Sequence, residues 1–153
     1  ERLFMFNAPL IRDLSYSSAD AYSQSVVEGT LFVTVDSSSG GINKNGQLGN
    51  IAKLPESYEK NIVIITKNPP SGYPEDEKNI FFDCVKKAQD NGKNVFIVYE
   101  DSKTRSFVES GIYYITCAAA KGADLPGGED YYDREKTAEF YLSAGEISYD
   151  LIN

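Results

Sequence analysis

Between Asp76 and Val98 the chain reads DEKNIFFDCVKKAQDNGKNVFIV: an amphipathic helical stretch, a glycine stop, then a run that is apolar except for Asn94. Ile80, Phe81, Cys84, Val85 and Ala88 recur at helical spacing and mark one face for burial. Asp76 is expected to cap the start, with Glu75 and Glu77 where the positive end of the helix dipole favours anions. Lys86 and Lys87, then Asn91-Gly92, complete a stop signal. Val95–Val98 is short and rich in β-branched residues, which predicts a buried strand. A helix followed at once by a buried strand fixes a layered architecture, and this unit spends its side chains on packing rather than on chemistry.

The 153 residues suffice for one domain, or for two small units sharing a core. A hydrophobic fraction of 41% excludes disorder by composition. The net charge of −8, with scattered basic residues, argues against nucleic-acid or anionic-membrane binding, since both need clustered Lys and Arg. No apolar run approaches the ~20 residues of a membrane span. The sequence contains no histidine, which removes the commonest general base, the commonest metal ligand and every Ser-His or Cys-His nucleophile. Cys84 and Cys117 are too few for a zinc site and lie in apolar segments, so they are expected as buried core thiols; a Cys84–Cys117 disulfide stays open until geometry is known. A first residue of Glu rather than Met leads to the expectation of a processed product or fragment.

Two parts are expected: a β-rich N-terminal segment over residues 1–54 and a β-α-β-β module over 55–153. In the first, Leu3–Phe6 reads as a short strand, Ser18–Val27 as a helix capped by Ser18, and Leu31–Val35 as a strand. Asn45-Gly46 is a hairpin signal, and Ile51–Leu54 reads as an edge strand stopped by Pro55. In the second part, Asn61–Thr66 is a buried strand and NPPSGYP a stiff loop. After the helix and its strand come an extended segment from Arg105 to Val108 and a strand from Ile112 to Ala119. An exposed loop from Gly122 to Asp133 follows, then a hairpin of Lys136–Leu142 and Glu146–Ile152 around Ala144-Gly145. The fold class is α+β: a mostly antiparallel sheet with one principal amphipathic helix packed on it.

Three sets of residues are candidates for function. Asp124, Glu129, Asp130 and Asp133, with Glu135, crowd one acidic loop where Ca²⁺ could find oxygen ligands, although the spacing is not that of an EF-hand and a solvated loop is the simpler reading. Asp36, Glu100 and Asp101 sit just past strand ends, where catalytic acids and ordinary turn acids both occur, and nothing selects a pair. Among eleven tyrosines, Tyr113, Tyr114, Tyr141 and Tyr149 lie on the final strands and are the candidates for a subunit interface. Gly40-Gly41 and Gly127-Gly128 lack the spacing of a phosphate loop. No catalytic residue and no cofactor is assigned.

Asn61–Asn153 resembles a small β-α-β-β module of fibre and baseplate-associated proteins of phages and prophages. The resemblance is carried by NIVIIT, by Phe81–Ala88, by AQDNGKNVFIVYED with its Ala88, Gly92, Lys93 and Val95, by IYYITCAA and by AEFYLSAGEISYDLIN. VVEGTLFVTVD is similar to a phrase of tail and fibre proteins, departing from it at Val35. The resemblance implies a non-enzymatic virion component, a homotrimer meeting other virion proteins and a host-surface glycan, and it brings no catalytic residue. The alternatives are a secreted or cell-surface bacterial module binding carbohydrate or calcium, and a small α/β enzyme or inhibitor using Asp36, Glu100 and Asp101.

Overall fold

The computed structural model describes residues 22–118, 137–143 and 145–152. Its centre is a six-stranded sheet. The strands are β1 (Ser23–Val27), β2 (Thr30–Val35), β3 (Asn61–Thr66), β4 (Asn94–Asp101), β5 (Arg105–Glu109) and β6 (Ile112–Ala118), in the order β1-β2-β3-β4-β6-β5. The inner strands β2, β3, β4 and β6 run parallel, and β1 and β5 close the two edges in antiparallel pairs. A separate antiparallel hairpin, β7 (Thr137–Ser143) and β8 (Glu146–Ile152), completes the strands. Among the described residues two helices join them: a short α1 (Gln47–Ile51) and the main helix α2 (Glu75–Asp90), with single 3₁₀ turns at Leu54–Glu56 and Pro70–Gly72.

The α+β class, with one main helix on a largely β framework, is the architecture expected. The sheet is mixed, however, where mostly antiparallel pairing was expected: among the described residues antiparallel pairing is confined to the two edges and the hairpin. The reason is burial on both faces. TLFVTV and NIVIIT are buried at every position, as are Val95–Val98 in β4, and such strands suit a parallel centre covered on each side. β2 pairs with β3 across the division drawn at residues 54/55, so the two parts share one sheet.

Alternation along each strand builds two cores. On one face Leu31, Val33, Ile62, Ile64, Val95 and Ile97 meet Phe81, Cys84, Val85 and Ala88 of α2, as the helical spacing predicts. Ile80, expected on that face, is instead 44% exposed. On the other face Phe32, Val63, Phe96, Val98 and Ile115 are covered by Phe140 and Leu142 of β7 and by Ile147, Tyr149 and Leu151 of β8. Cys84 belongs to the helix-side core and Cys117 to the hairpin-side core, so the sheet stands between the two sulfurs.

The helix ends as its glycine demands: Gly92 takes φ 80°, and Lys93 N–H reaches back to the Ala88 carbonyl at 3.0 Å. Its start differs from expectation. Pro74 holds the cap position and no side chain caps the helix, while Glu75, Asp76 and Glu77 fill the first turn.

Two local readings are corrected. Ser23–Val27 is a strand rather than the end of a helix, because Glu28 (φ 48°) and Gly29 (φ 74°) form a tight turn that folds it back on β2. Ile51–Leu54 is not an edge strand: Ile51 closes α1 and Leu54 opens a 3₁₀ turn, and both are buried. Asn45 and Gly46 do adopt positive φ (50° and 71°), but they lead into α1 rather than closing a hairpin. Leu3–Phe6 and Gly122–Asp133 lie outside the described residues.

Candidate functional site

Parallel strands all finish at the same edge, and that edge is where open α/β sheets place their ligands. Here it gathers Asp36 and Ser37 after β2, Thr66 at the end of β3 with Asn68 beyond, and Glu100 and Asp101 at the end of β4. The segment from Asp36 to α1 folds over this edge, and four side chains hold it there.

Gln47, 1% exposed at the start of α1, forms the innermost tie. Its Oε1 accepts from Asp36 N–H at 3.0 Å, and its Nε2 donates to the Asp36 carbonyl at 2.7 Å. Ser37, fully buried, is the second: its Oγ accepts from Thr66 Oγ1 at 2.8 Å and from the Asn68 N–H at 2.9 Å. Tyr73 joins through its hydroxyl, 2.6 Å from Thr66 Oγ1. Burial pushes the Tyr73 phenol up to about 12, against the hydrogen bonds of Thr66 and Ser37.

The Asp36 carboxylate is the third tie. One oxygen accepts from Ser38 N–H at 2.9 Å and the other lies 2.5 Å from Lys44 Nζ, which also reaches Ser38 Oγ at 3.0 Å. Burial alone would push this carboxyl up, but the Lys44 and Ser38 contacts outweigh it and hold it below the usual carboxylate range. Glu77, from the first turn of α2, is the fourth. Its Oε2 accepts from the backbone N–H groups of Ile42 and Asn43, the latter at 3.0 Å. A Cβ at Gly41 would stand 2.7 Å from that oxygen, so a larger residue there would push the Glu77 carboxylate aside.

The Asp36 carboxylate is already taken by Lys44 and Ser38. Asp36 and Glu100 are separated by β3, two strand spacings or about 10 Å at the backbone. Asp101 turns outward to Ser102 N–H at 2.6 Å and Arg105 at 3.4 Å, and the Ser102 backbone hydrogen bond lowers its pKa first of all. Asp124, Glu129, Asp130 and Asp133, proposed for calcium, lie outside the described residues. Among the described residues no cluster of acids and cysteines could hold a metal ion, and no helix is long and apolar enough to cross a membrane.

The candidate interface tyrosines are divided between the two cores. Tyr114 is 8% exposed on the helix side, stacked on Phe107 at 5.0 Å, and burial pushes its phenol up to about 12. It is therefore an internal residue rather than a contact surface. Tyr113 stacks on Phe96 at 4.7 Å, and Tyr149 meets Phe96 edge-on at 6.3 Å, both half-buried on the hairpin side. Tyr141 is half-buried on β7. Sequence reasoning missed Gln47, Thr66 and Tyr73. A lone buried Gln has no periodic signature, though Thr66 and Ser37 each sit at the end of an apolar run, where polar side chains close a parallel edge.

No family model matches this chain, and neither a curated protein nor a solved structure matches it at a significant level.

Proposed function

We propose that this chain is a non-catalytic domain of a virion appendage that associates with copies of itself, a homotrimer being the expected assembly. One observation carries the reading. At the edge where an α/β enzyme would present reactive groups, Asp36, Ser37, Lys44, Gln47, Thr66 and Tyr73 bond to one another and to the backbone beside them. Side chains committed in this way latch a loop and leave the edge rigid, which suits a structural part.

Self-association draws support from the sheet edges. Val26 on β1 is 55% exposed and Val108 on β5 is 60% exposed, each on an outermost strand. Edge strands with outward apolar side chains are ready to pair with another chain. Of the tyrosine contacts expected from sequence, Tyr114 is set aside, since it packs inside the helix-side core.

Light scattering across a hundredfold concentration range tests the assignment. A mass of three chains that falls to one on Val26→Lys or Val108→Lys supports it. A monomer at every concentration, or turnover of ester, phosphate or glycoside substrates lost on Asp36→Asn, would overturn it.

A further inference from the structure

Where the free side of β8 passes over the start of β4, a solvent-open cavity of about 290 Å³ lies between hairpin and sheet, lined by Asn94, Phe96, Tyr113, Ile147, Ser148 and Tyr149. It is at the opposite end of the strands from the latched loop, because Asn94 opens β4 while Glu100 and Asp101 finish it. We propose that this cavity binds a single neutral pyranose ring, the terminal unit of a glycan.

The lining selects the ligand class. In a chain of net charge −8 none of these six residues is charged, so the site offers neither a cation for an anionic ligand nor a carboxylate for a cationic one. Tyr113, half-buried, stacks on the buried Phe96 with 16° between their planes, and Tyr149, also half-buried, stands nearly perpendicular to Phe96 at 83°, so two tyrosine rings backed by Phe96 supply the aromatic surface. The phenol groups of Tyr113 and Tyr149 and the carboxamide oxygen of Asn94 are the polar side-chain groups of this lining. A purely apolar ligand would leave these polar groups unused. A sugar ring has both an apolar C–H face and a rim of hydroxyls, and it matches both. The volume lies at the lower end of the roughly 300–1,000 Å³ usual for ligand sites, which limits the cavity to one ring.

The floor is fixed in advance. Asn94 Nδ2 donates to Asn61 Oδ1 at 2.8 Å, and Asn61 Nδ2 donates to the Gly145 carbonyl at 2.7 Å. This chain of amides ties the turn of the β7–β8 hairpin to the sheet and orients Asn94 before any ligand arrives. Preorganisation of this kind lowers the ordering cost of binding.

The inference deepens the appendage reading, since a glycan contact is what an attachment domain needs. The test uses the full chain with methyl glycosides of glucose, galactose and N-acetylglucosamine as probes, followed by saturation-transfer NMR and calorimetry. At least one probe is expected to bind, with the aromatic protons of Tyr113 and Tyr149 shifting. The double variant Tyr113→Phe/Tyr149→Phe keeps both rings and the fold; it should weaken binding about tenfold, and Tyr113→Ala should abolish it. No binding by any probe, or binding that both variants leave unchanged, overturns the cavity assignment. Light scattering on the same sample separates the two readings: a trimer without sugar binding loses only the cavity site, and a monomer with variant-sensitive binding loses only the appendage.

Discussion

Replacing Gln47 by Ala removes one side chain and strands two backbone groups. Asp36 N–H and C=O lie against a residue that is 1% exposed, and each loses its partner in the variant. A neutral hydrogen bond contributes about 1 kcal/mol net, and leaving both groups unsatisfied and buried raises the total cost to about 3 kcal/mol. With a urea slope of about 2 kcal/mol/M, the unfolding midpoint should drop by about 1.5 M. Tyrosine fluorescence follows the transition without interference, because the chain contains no tryptophan. Gln47→Glu adds a sign. Its carboxylate can still accept from Asp36 N–H but cannot donate to the carbonyl, and it sits buried beside a second acid. Its folded pKa is thereby raised above the ordinary ~4.3, so the variant's stability is fully kept below that pH and lost as pH rises through the folded value. A cost below about 1 kcal/mol for Gln47→Ala, the size of one ordinary hydrogen bond, would refute the latch.

Phe81→Ala should cost about 4 kcal/mol, since the ring is wholly buried and meets Tyr73 and Phe82 edge-on at 5.7 and 5.4 Å; less than about 1 kcal/mol in the same urea assay would mean the helix is not seated as described. Asp36 has a depressed folded pKa, so the stability it contributes is present above its unfolded value of about 3.9 and lost as pH falls through the folded one. Lys44→Met should flatten that acid limb in a series of melting temperatures against pH, and an unchanged limb would show the ion pair to be idle. Thiol titration should find two reactive groups in denaturant and slow reaction in the native protein, as Cys84 and Cys117 are buried on opposite faces of the sheet. Finding no thiol in denaturant without reductant would contradict that placement.

The main helix and the three buried strands were legible because local pattern decides them: Phe81, Cys84, Val85 and Ala88 repeat at helical spacing, and NIVIIT has no polar side to show water. Strand direction is not written in any one segment. Even so, three runs buried at nearly every position carry the mark of a parallel centre, and that mark outweighed the antiparallel hairpin at the far end of the sequence. Ser23–Val27 was misread because its polar residues have weak preferences of their own, while the Glu28-Gly29 turn that folds it against β2 is what assigns it. The acids were correctly placed at strand ends, but their gathering at one edge of the sheet, which follows from parallel pairing, and their partners were invisible. Lys44 and Gln47 reach Asp36 only because the intervening loop turns back over the edge.

The covering of the second core has a consequence for how this chain is made. Phe32, Val63, Phe96 and Ile115 are all synthesised before Phe140 and Leu142, the side chains that shelter them. A nascent sheet complete through β6 therefore carries one finished face, backed by α2, and one oily face open to solvent. Such a half-covered sheet is prone to sticking to its neighbours until residues 140–151 emerge and fold back across it. Arrest of translation in that interval, or truncation before the hairpin, should yield an insoluble product even though every strand of the central sheet is present.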